Sequence, residues 1–243
     1  MDVIAEGHVF YNKHGTPFKI IRYITTNHIE IEFLDDYHVH KFVSKQRILL
    51  RSVRNPYDKT VFGIGCIGEG PYKVRRKGGK LYESYNAWRN MLERCYSEKY
   101  RKRNPTYENC ACCEAWKNYQ NFASWYDAHF YQVGNERMHI DKDIKIKGNQ
   151  VYSPETCVII PQRINMIFAT KKLNRRSTLP TGISKLTCGM YKTRYITDEI
   201  GRYSSLEESV QAYLSAKRKH IAEVVESYGD QIPTDVREVI LAW

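Results

Sequence analysis

The sequence predicts an α+β fold, because its strand-like and helix-like stretches are separated along the chain. Short β-branched and aromatic runs with turn residues between them occupy residues 1–75 and 177–243. Between them, apolar side chains recur at helical spacing and a strand-loop-strand-helix pattern follows. The predicted domains are therefore a β-rich 1–75, a central 76–176 and a C-terminal 177–243 with three strands and a helix.

The N-terminal region alternates strand signals with turn residues. Predicted strands at 8–10, 18–23, 29–33 and 39–43 are separated by Asn12, Gly15, Pro17 and the Asp35-Asp36 pair. Several short strands at close spacing predict a small β-barrel-like domain of SH3-like size.

Three glycines, Gly63, Gly65 and Gly68, match the dinucleotide-binding spacing G-x-G-x-x-G. No helix pattern opens after them, and Pro71 follows at once. The motif therefore predicts a close-packed turn.

The central region begins with two predicted helices, 84–96 and 114–130. Each carries an aromatic stripe, which predicts core packing before any binding role; the residues are Tyr85, Trp88, Leu92 and Cys95, then Trp116, Tyr119, Phe122 and Tyr126. Between the helices a long polar connection, 97–113, contains four basic residues that are candidate phosphate contacts, namely Lys99, Arg101, Lys102 and Arg103.

The seven cysteines are an odd number in a chain of 243 residues and do not predict a disulfide framework. Cys110 and Cys113 have the C-x-x-C spacing that presents two thiolates to a tetrahedral Zn²⁺. The other ligands of such a structural zinc would come from Cys95, Cys112, Cys157 or His139. The alternative is that these thiols are buried, apolar core residues.

Residues 138–165 contain the candidate catalytic side chains. A predicted strand at 138–141 ends at Asp141, a polar loop with Gly148 and Asn149 follows, and a second strand covers 158–160. Pro161 is suited to the first position of a helix, which would place Asn165 one turn in. This is the order of a ββα-metal finger, in which the strand end and the helix face one divalent ion.

The stretch DKDIKIKGNQVYSPETCVIIPQRIN, residues 141–165, resembles the central module of phage-encoded HNH-like (His-Me finger) endonucleases. The resemblance extends to WRNMLERCY at 88–96 and CEAWKNYQNFASW at 113–125. It implies metal-dependent cleavage of phosphodiester bonds in DNA, with Mg²⁺ or a similar ion on Asp141 and Asn165.

The sequence departs from an active finger directly after Asp141, where the family's general base is His and this chain has Lys142. His139, two residues earlier, points to the same strand face as Asp141 and could replace that base. Lys142 could neutralise charge on the phosphorane. The alternatives are a non-catalytic DNA-binding regulator on a degenerate scaffold and an inhibitor that binds a host protein.

The C-terminal region contains predicted strands at 182–183, 190–196 and 200–203, followed by a long helix. Ser204 or Ser205 caps that helix, with Glu207 or Glu208 completing a capping box. IGRYSSLEESVQAYLSAK, residues 200–217, resembles the AP2 DNA-binding domain, in which the sheet lies in the major groove. The resemblance implies DNA contacts from Lys185, Tyr191, Lys192, Arg194 and Arg202. A final helix, 233–243, is predicted to pack on the core.

The charge balance points to a polyanionic partner. The chain has 38 Lys and Arg against 27 Asp and Glu, a formal net charge of +11. Each cation placed on a phosphate releases counterions, so double-stranded DNA is the predicted partner. No apolar run reaches the length of a bilayer span and no leader pattern is present, which predicts no membrane association and a location in the cytoplasm, that of a host cell if phage-encoded.

Overall fold

A computed structural model describes residues 4–168 and 179–243, and it confirms the α+β class. The chain divides into two compact units, Met1–Ala128 and His129–Trp243. The predicted boundary at 75/76 falls inside the first unit, and the one at 176/177 lies outside the described residues. The three-domain division stays a prediction.

Eleven strands and seven α-helices form within the described residues. The strands are β1 Val9–Tyr11, β2 Pro17–Thr25, β3 His28–Phe33, β4 His40–Val43, β5 Ala111–Cys112, β6 Met138–Asp141, β7 Val151–Tyr152, β8 Val158–Pro161, β9 Ile183–Lys185, β10 Tyr191–Tyr195 and β11 Asp198–Tyr203. The helices are α1 Lys45–Leu49, α2 Glu83–Tyr96, α3 Glu98–Arg103, α4 Tyr119–His129, α5 Gln162–Phe168, α6 Leu206–Ser227 and α7 Thr234–Leu241. None of these helices is long and apolar enough to cross a membrane.

The N-terminal strands form an antiparallel meander in the order β1-β2-β3-β4. Along β3, Ile29, Ile31 and Phe33 are buried and alternate with more exposed residues, so one face of the sheet carries the core. Within the described residues the sheet does not close, because its outer strands β1 and β4 each pair with one neighbour only. The expected barrel-like closure is therefore replaced by an open sheet.

The aromatic helices pack as the sequence predicts. Trp88, Trp116 and Phe122 are fully or almost fully buried, and the Trp88 indole donates a 2.7 Å hydrogen bond to the Trp116 carbonyl. The core assignment of the stripe is confirmed. Gly65 lies against this layer, where an added Cβ would stand 2.5 Å from the Leu92 side chain, so the glycine motif serves close packing.

The second predicted helix is shorter than the sequence indicates. Residues Glu114–Lys117 form a 3-10 helix, and α4 begins only at Tyr119. The polar connection 97–113, for which the sequence indicates no helix, contains the short helix α3. Ser97 caps α3 by accepting a hydrogen bond from the Tyr100 amide at 3.3 Å.

The second unit is built around one hydrophobic core that joins β8, α5, α6 and α7. Ile160, Ile164, Val225 and Ile240 are among its buried members. The cap of α6 is the predicted capping box: Ser205 accepts from the Glu208 amide, and the Glu208 carboxylate accepts from the Ser205 amide. The three C-terminal strands pair in the order β11-β10-β9, and α6 packs on β10 and β11.

Candidate functional site

The strand-strand-helix arrangement predicted for residues 138–165 is present in the second unit. β6 and β8 pair antiparallel, with His139 opposite Ile160 and Asp141 opposite Val158. Pro161 ends β8 opposite Met138, and α5 begins at the next residue, Gln162. The helix thus starts one residue later than expected, because the backbone of Pro161 still follows the strand.

The structure brings His139 and Asn165 together across the unit. The side-chain amide nitrogen of Asn165 lies 2.9 Å from His139 Nδ1, a hydrogen bond that spans 26 residues of sequence. Both side chains are half-buried. The helix therefore fixes the orientation of the imidazole on the first strand, as partners of catalytic imidazoles commonly do.

No protein family, curated protein or solved structure matches this chain. The resemblances to HNH-like endonucleases and to AP2 domains thus stay predictions that rest on the residues quoted for them.

Asp141 lies at the end of β6 and shapes the loop that follows. Its Oδ1 accepts hydrogen bonds from the backbone N–H groups of Asp143 at 2.7 Å and Ile144 at 2.9 Å. Burial raises the pKa of the Asp141 carboxyl, although these two N–H groups act in the opposite direction. The carboxylate is thus positioned by the backbone and kept partly away from water.

Lys142 is turned into the loop and is 7% exposed. Its Nζ lies 2.9 Å from both carboxylate oxygens of Asp143 and 2.7 Å from the Asn149 carbonyl. These three acceptors match the three donors of an ammonium group. The role expected for Lys142, neutralising charge on a phosphate, does not suit this position, because the ammonium is already engaged and enclosed.

Asn149 was not predicted as a site residue, yet it closes the loop on Lys142. Its Nδ2 donates to the Lys142 carbonyl at 2.9 Å and to the Val151 carbonyl at 2.7 Å. The sequence signal was the Gly-Asn pair in a polar loop, which marks a turn but does not name the contacts.

The cysteines proposed for zinc are mostly buried thiols. Burial raises the pKa of the Cys112 thiol and raises that of Cys157 to about 12. Cys112 also contacts the Tyr96 hydroxyl, at 3.6 Å. Across residues 4–168 and 179–243, no cluster of three or more His, Cys, Asp or Glu side chains is arranged to hold a metal ion. Zinc at Cys110 and Cys113 stays a prediction.

The five residues proposed for DNA contact in the C-terminal sheet do not share one face. Strand pairing places Lys185 opposite Tyr191, and Lys192 opposite Arg202. Thr193, the next residue after Lys192 on β10, is buried against α6, where its hydroxyl lies 3.4 Å from the Ser209 carbonyl. By alternation, Lys192 and Arg202 are on the face away from α6, and Lys185 and Tyr191 on the other.

The face that carries Lys192 and Arg202 also carries an acid. Glu199 binds the Lys192 ammonium and the Arg202 guanidinium, each at 2.8 Å. Those two side-chain hydrogen bonds lower the pKa of the Glu199 carboxyl. Arg194 lies beyond a β-bulge in β10, and its guanidinium donates to the Thr197 carbonyl at 3.0 Å.

The basic residues of the 97–113 connection lie on or at the end of α3. Lys102 pairs with Glu98 at 2.6 Å, and both side chains are mostly exposed. Arg101 donates to the Glu108 carbonyl at 3.4 Å, while Lys99 and Arg103 are exposed. Four cations on six helical residues form a compact basic surface with one compensating carboxylate.

Proposed function

We propose that this chain binds DNA and cleaves it in a metal-dependent reaction at the ββα unit of β6, β8 and α5. The observation that carries the proposal is the contact between His139 and Asn165, which brings an imidazole on the first strand to the helical asparagine that the resemblance assigns as a metal ligand. The formal net charge of +11 supports a polyanionic substrate.

His139 is the proposed general base. Rotating the Asn165 amide by 180° keeps its contact with Nδ1 and exchanges the donor for the acceptor. With Oδ1 facing the ring, the imidazole carries its proton on Nδ1, and Nε2 holds the lone pair that takes a proton from water. In this orientation Asn165 would hold the tautomer that can act as a base, whereas with the amide nitrogen on Nδ1 its oxygen would be free to hold an ion.

Asp141 and Asn165 are the residues that would hold the ion, since carboxylate and amide oxygens are the ligands that hard divalent cations prefer. An ion bound there would polarise the scissile phosphate and stabilise its leaving group. His139 and Asp141 are two residues apart on one strand, about 7 Å along it, so a base and an acidic ligand share a strand face.

A nicking assay on supercoiled plasmid tests the catalytic part. Wild type with Mg²⁺ or Mn²⁺ should convert supercoiled to open-circular DNA, and His139→Ala and Asn165→Ala should each slow this at least about 100-fold. Asn135→Ala, an exposed residue of the same unit, is the matched control and should keep full activity. Nicking that survives in His139→Ala would remove this residue from the role of base.

Salt dependence tests the DNA-binding part. Affinity for duplex DNA should fall steeply with salt, and neutralising the four basic residues of α3 together should reduce the log–log slope by up to about 3 to 4. If the neutralised variant binds duplex DNA with the same log–log salt slope as wild type, α3 does not contact phosphates.

A second function, a DNA-binding regulator without catalysis, is favoured by the position of Lys142. The residue that follows Asp141 is enclosed in the loop and cannot act as a base. A wild-type chain that binds DNA with the expected salt slope, and is inert with every divalent ion tried, would select this function.

A further inference from the structure

A cleft of about 960 Å³ lies within the second unit, between α5, α6 and the end of β10. On α5, the side chain of Asn165 contacts His139, whereas other side chains, including Arg163 and Met166, line the cleft. The cleft is therefore separate in its residues from the site proposed for cleavage. Its volume is in the range of small-molecule and nucleotide sites.

The cleft has an excess of positive charge. Among the described residues, five Lys and Arg line it against one side-chain carboxylate, that of Glu136, which accepts hydrogen bonds from the Tyr228 hydroxyl at 2.9 and 3.0 Å. The cations are Arg137, Lys147, Arg163, Arg194 and Lys217. Lys147, Arg163 and Arg194 are exposed, whereas Lys217 is buried, so the charge of Lys217 is screened less by salt than theirs.

Lys217 is 9% exposed and stands between aromatic rings. Its ammonium lies 5.7 Å from the centre of the Phe168 ring. It lies 4.1 Å from the centre of the Trp243 ring, and the ammonium of Lys147 lies 5.7 Å from the same centre. Burial lowers the pKa of Lys217, and the charge of Lys147 lowers it further. Two like charges over one ring repel each other, and an anion between them would remove that repulsion.

The rim of the cleft is apolar and open to solvent. Met166 is 65% exposed and Ile196 is 69% exposed. Ile196 also has φ of 56°, which a β-branched residue rarely adopts, so the turn holds this apolar side chain outward in a disfavoured conformation. A flat apolar group could be covered by these two side chains.

We propose that this cleft binds an unpaired nucleotide, with its phosphate on Lys217 and Lys147 and its base against Met166 and Ile196. A basic groove beside apolar or aromatic platforms is the combination by which proteins hold single strands. The site takes either a free nucleotide or a nucleotide within a single strand, and it does not depend on the cleavage proposed above.

Binding is measured in EDTA, so that no cleavage contributes, with four probes: dTMP, labelled (dT)8, a duplex of equal length and inorganic phosphate. Lys217→Met should weaken dTMP or (dT)8 at least about tenfold, because a hydrogen-bonded charge is lost while the aliphatic stem remains. Lys219→Met, an exposed lysine on the same helix, is the matched control with the same change in charge.

Lys147→Met and Lys145→Met form a second pair on one loop, and both residues are exposed, so folding is not at stake. Lys147→Met should weaken binding and Lys145→Met should not. Binding of dTMP assigns the site to free nucleotides, and binding of (dT)8 alone assigns it to a strand. The proposal is overturned if neither dTMP nor (dT)8 binds, or if phosphate binds as tightly as dTMP. It is also overturned if the two variants of each lysine pair lose affinity to the same extent.

Discussion

The contact network of Lys142 makes a sharp prediction about stability. Lys142→Met keeps most of the aliphatic stem and removes the ammonium that joins Asp143 to the Asn149 carbonyl. We expect the variant to lower the free energy of unfolding of the second unit by about 1.5 to 4 kcal/mol.

The magnitude follows from the two partners. The Asn149 carbonyl, 2.7 Å from Nζ, loses a charged donor within the loop, and a hydrogen bond to a charged group contributes about 1.5 to 3 kcal/mol. The Asp143 side chain is 51% exposed, so water can take the place of the lost ammonium. The ion pair with Asp143 therefore contributes about 0 to 1 kcal/mol to the free energy of unfolding.

Hydrogen exchange of the amides in 138–161, combined with urea unfolding, measures the effect locally, because a chain with two units need not unfold in one step. Lys145→Met in the same loop is the control and should change stability by less than about 0.5 kcal/mol. Equal protection in the two variants would refute the role assigned to Lys142.

The same contacts decide what Lys142→His would do. An imidazole is shorter than a lysine side chain and, when neutral, has one donor in place of three. The substitution should therefore loosen the loop before it supplies a base beside Asp141. A gain of cleavage in Lys142→His, with loop amides still protected, would show that the loop tolerates the change and that the chain is a decayed nuclease.

Three further predictions concern other groups. Asp141→Asn should be neutral or stabilising near pH 7, because Oδ1 can still accept its two N–H groups and burial no longer penalises a charge. The pKa of Asp141 in the folded chain is raised above 3.8, so wild type gains stability as the pH falls through that pKa. Urea titrations at decreasing pH should therefore show the stability advantage of Asp141→Asn disappearing. An advantage that persists in acid would contradict this. Glu199→Gln should tighten duplex binding severalfold at low salt if the open sheet face meets DNA, since it frees two cations, and an unchanged affinity would exclude that face. Elemental analysis of protein purified without added metal should give about one zinc per chain if Cys110 and Cys113 are ligands, whereas background zinc with an unchanged circular dichroism spectrum after chelation would assign them to the core.

Sequence patterns with a short range predicted the structure well. The capping box at Ser205 and Glu208 spans three residues, so its geometry follows from local sequence once a helix forms. The helical spacing of the apolar residues predicts the aromatic stripe through Trp88. The large apolar surface of these side chains predicts that they are buried. Asp141 at a strand end and Asn165 one turn into a helix were likewise readable from the order of the elements.

The tertiary structure alone decided which side chains meet and where they point. Strand alternation could not tell whether Lys142 faces a substrate or its own loop, because that depends on acceptors supplied by Asp143 and Asn149. The contact of His139 with Asn165 crosses 26 residues, and the two lysines over Trp243 come from a loop and a helix far apart in sequence. Such contacts depend on how elements pack, and packing reflects the sum of many weak interactions over the whole unit, which no short stretch of sequence contains.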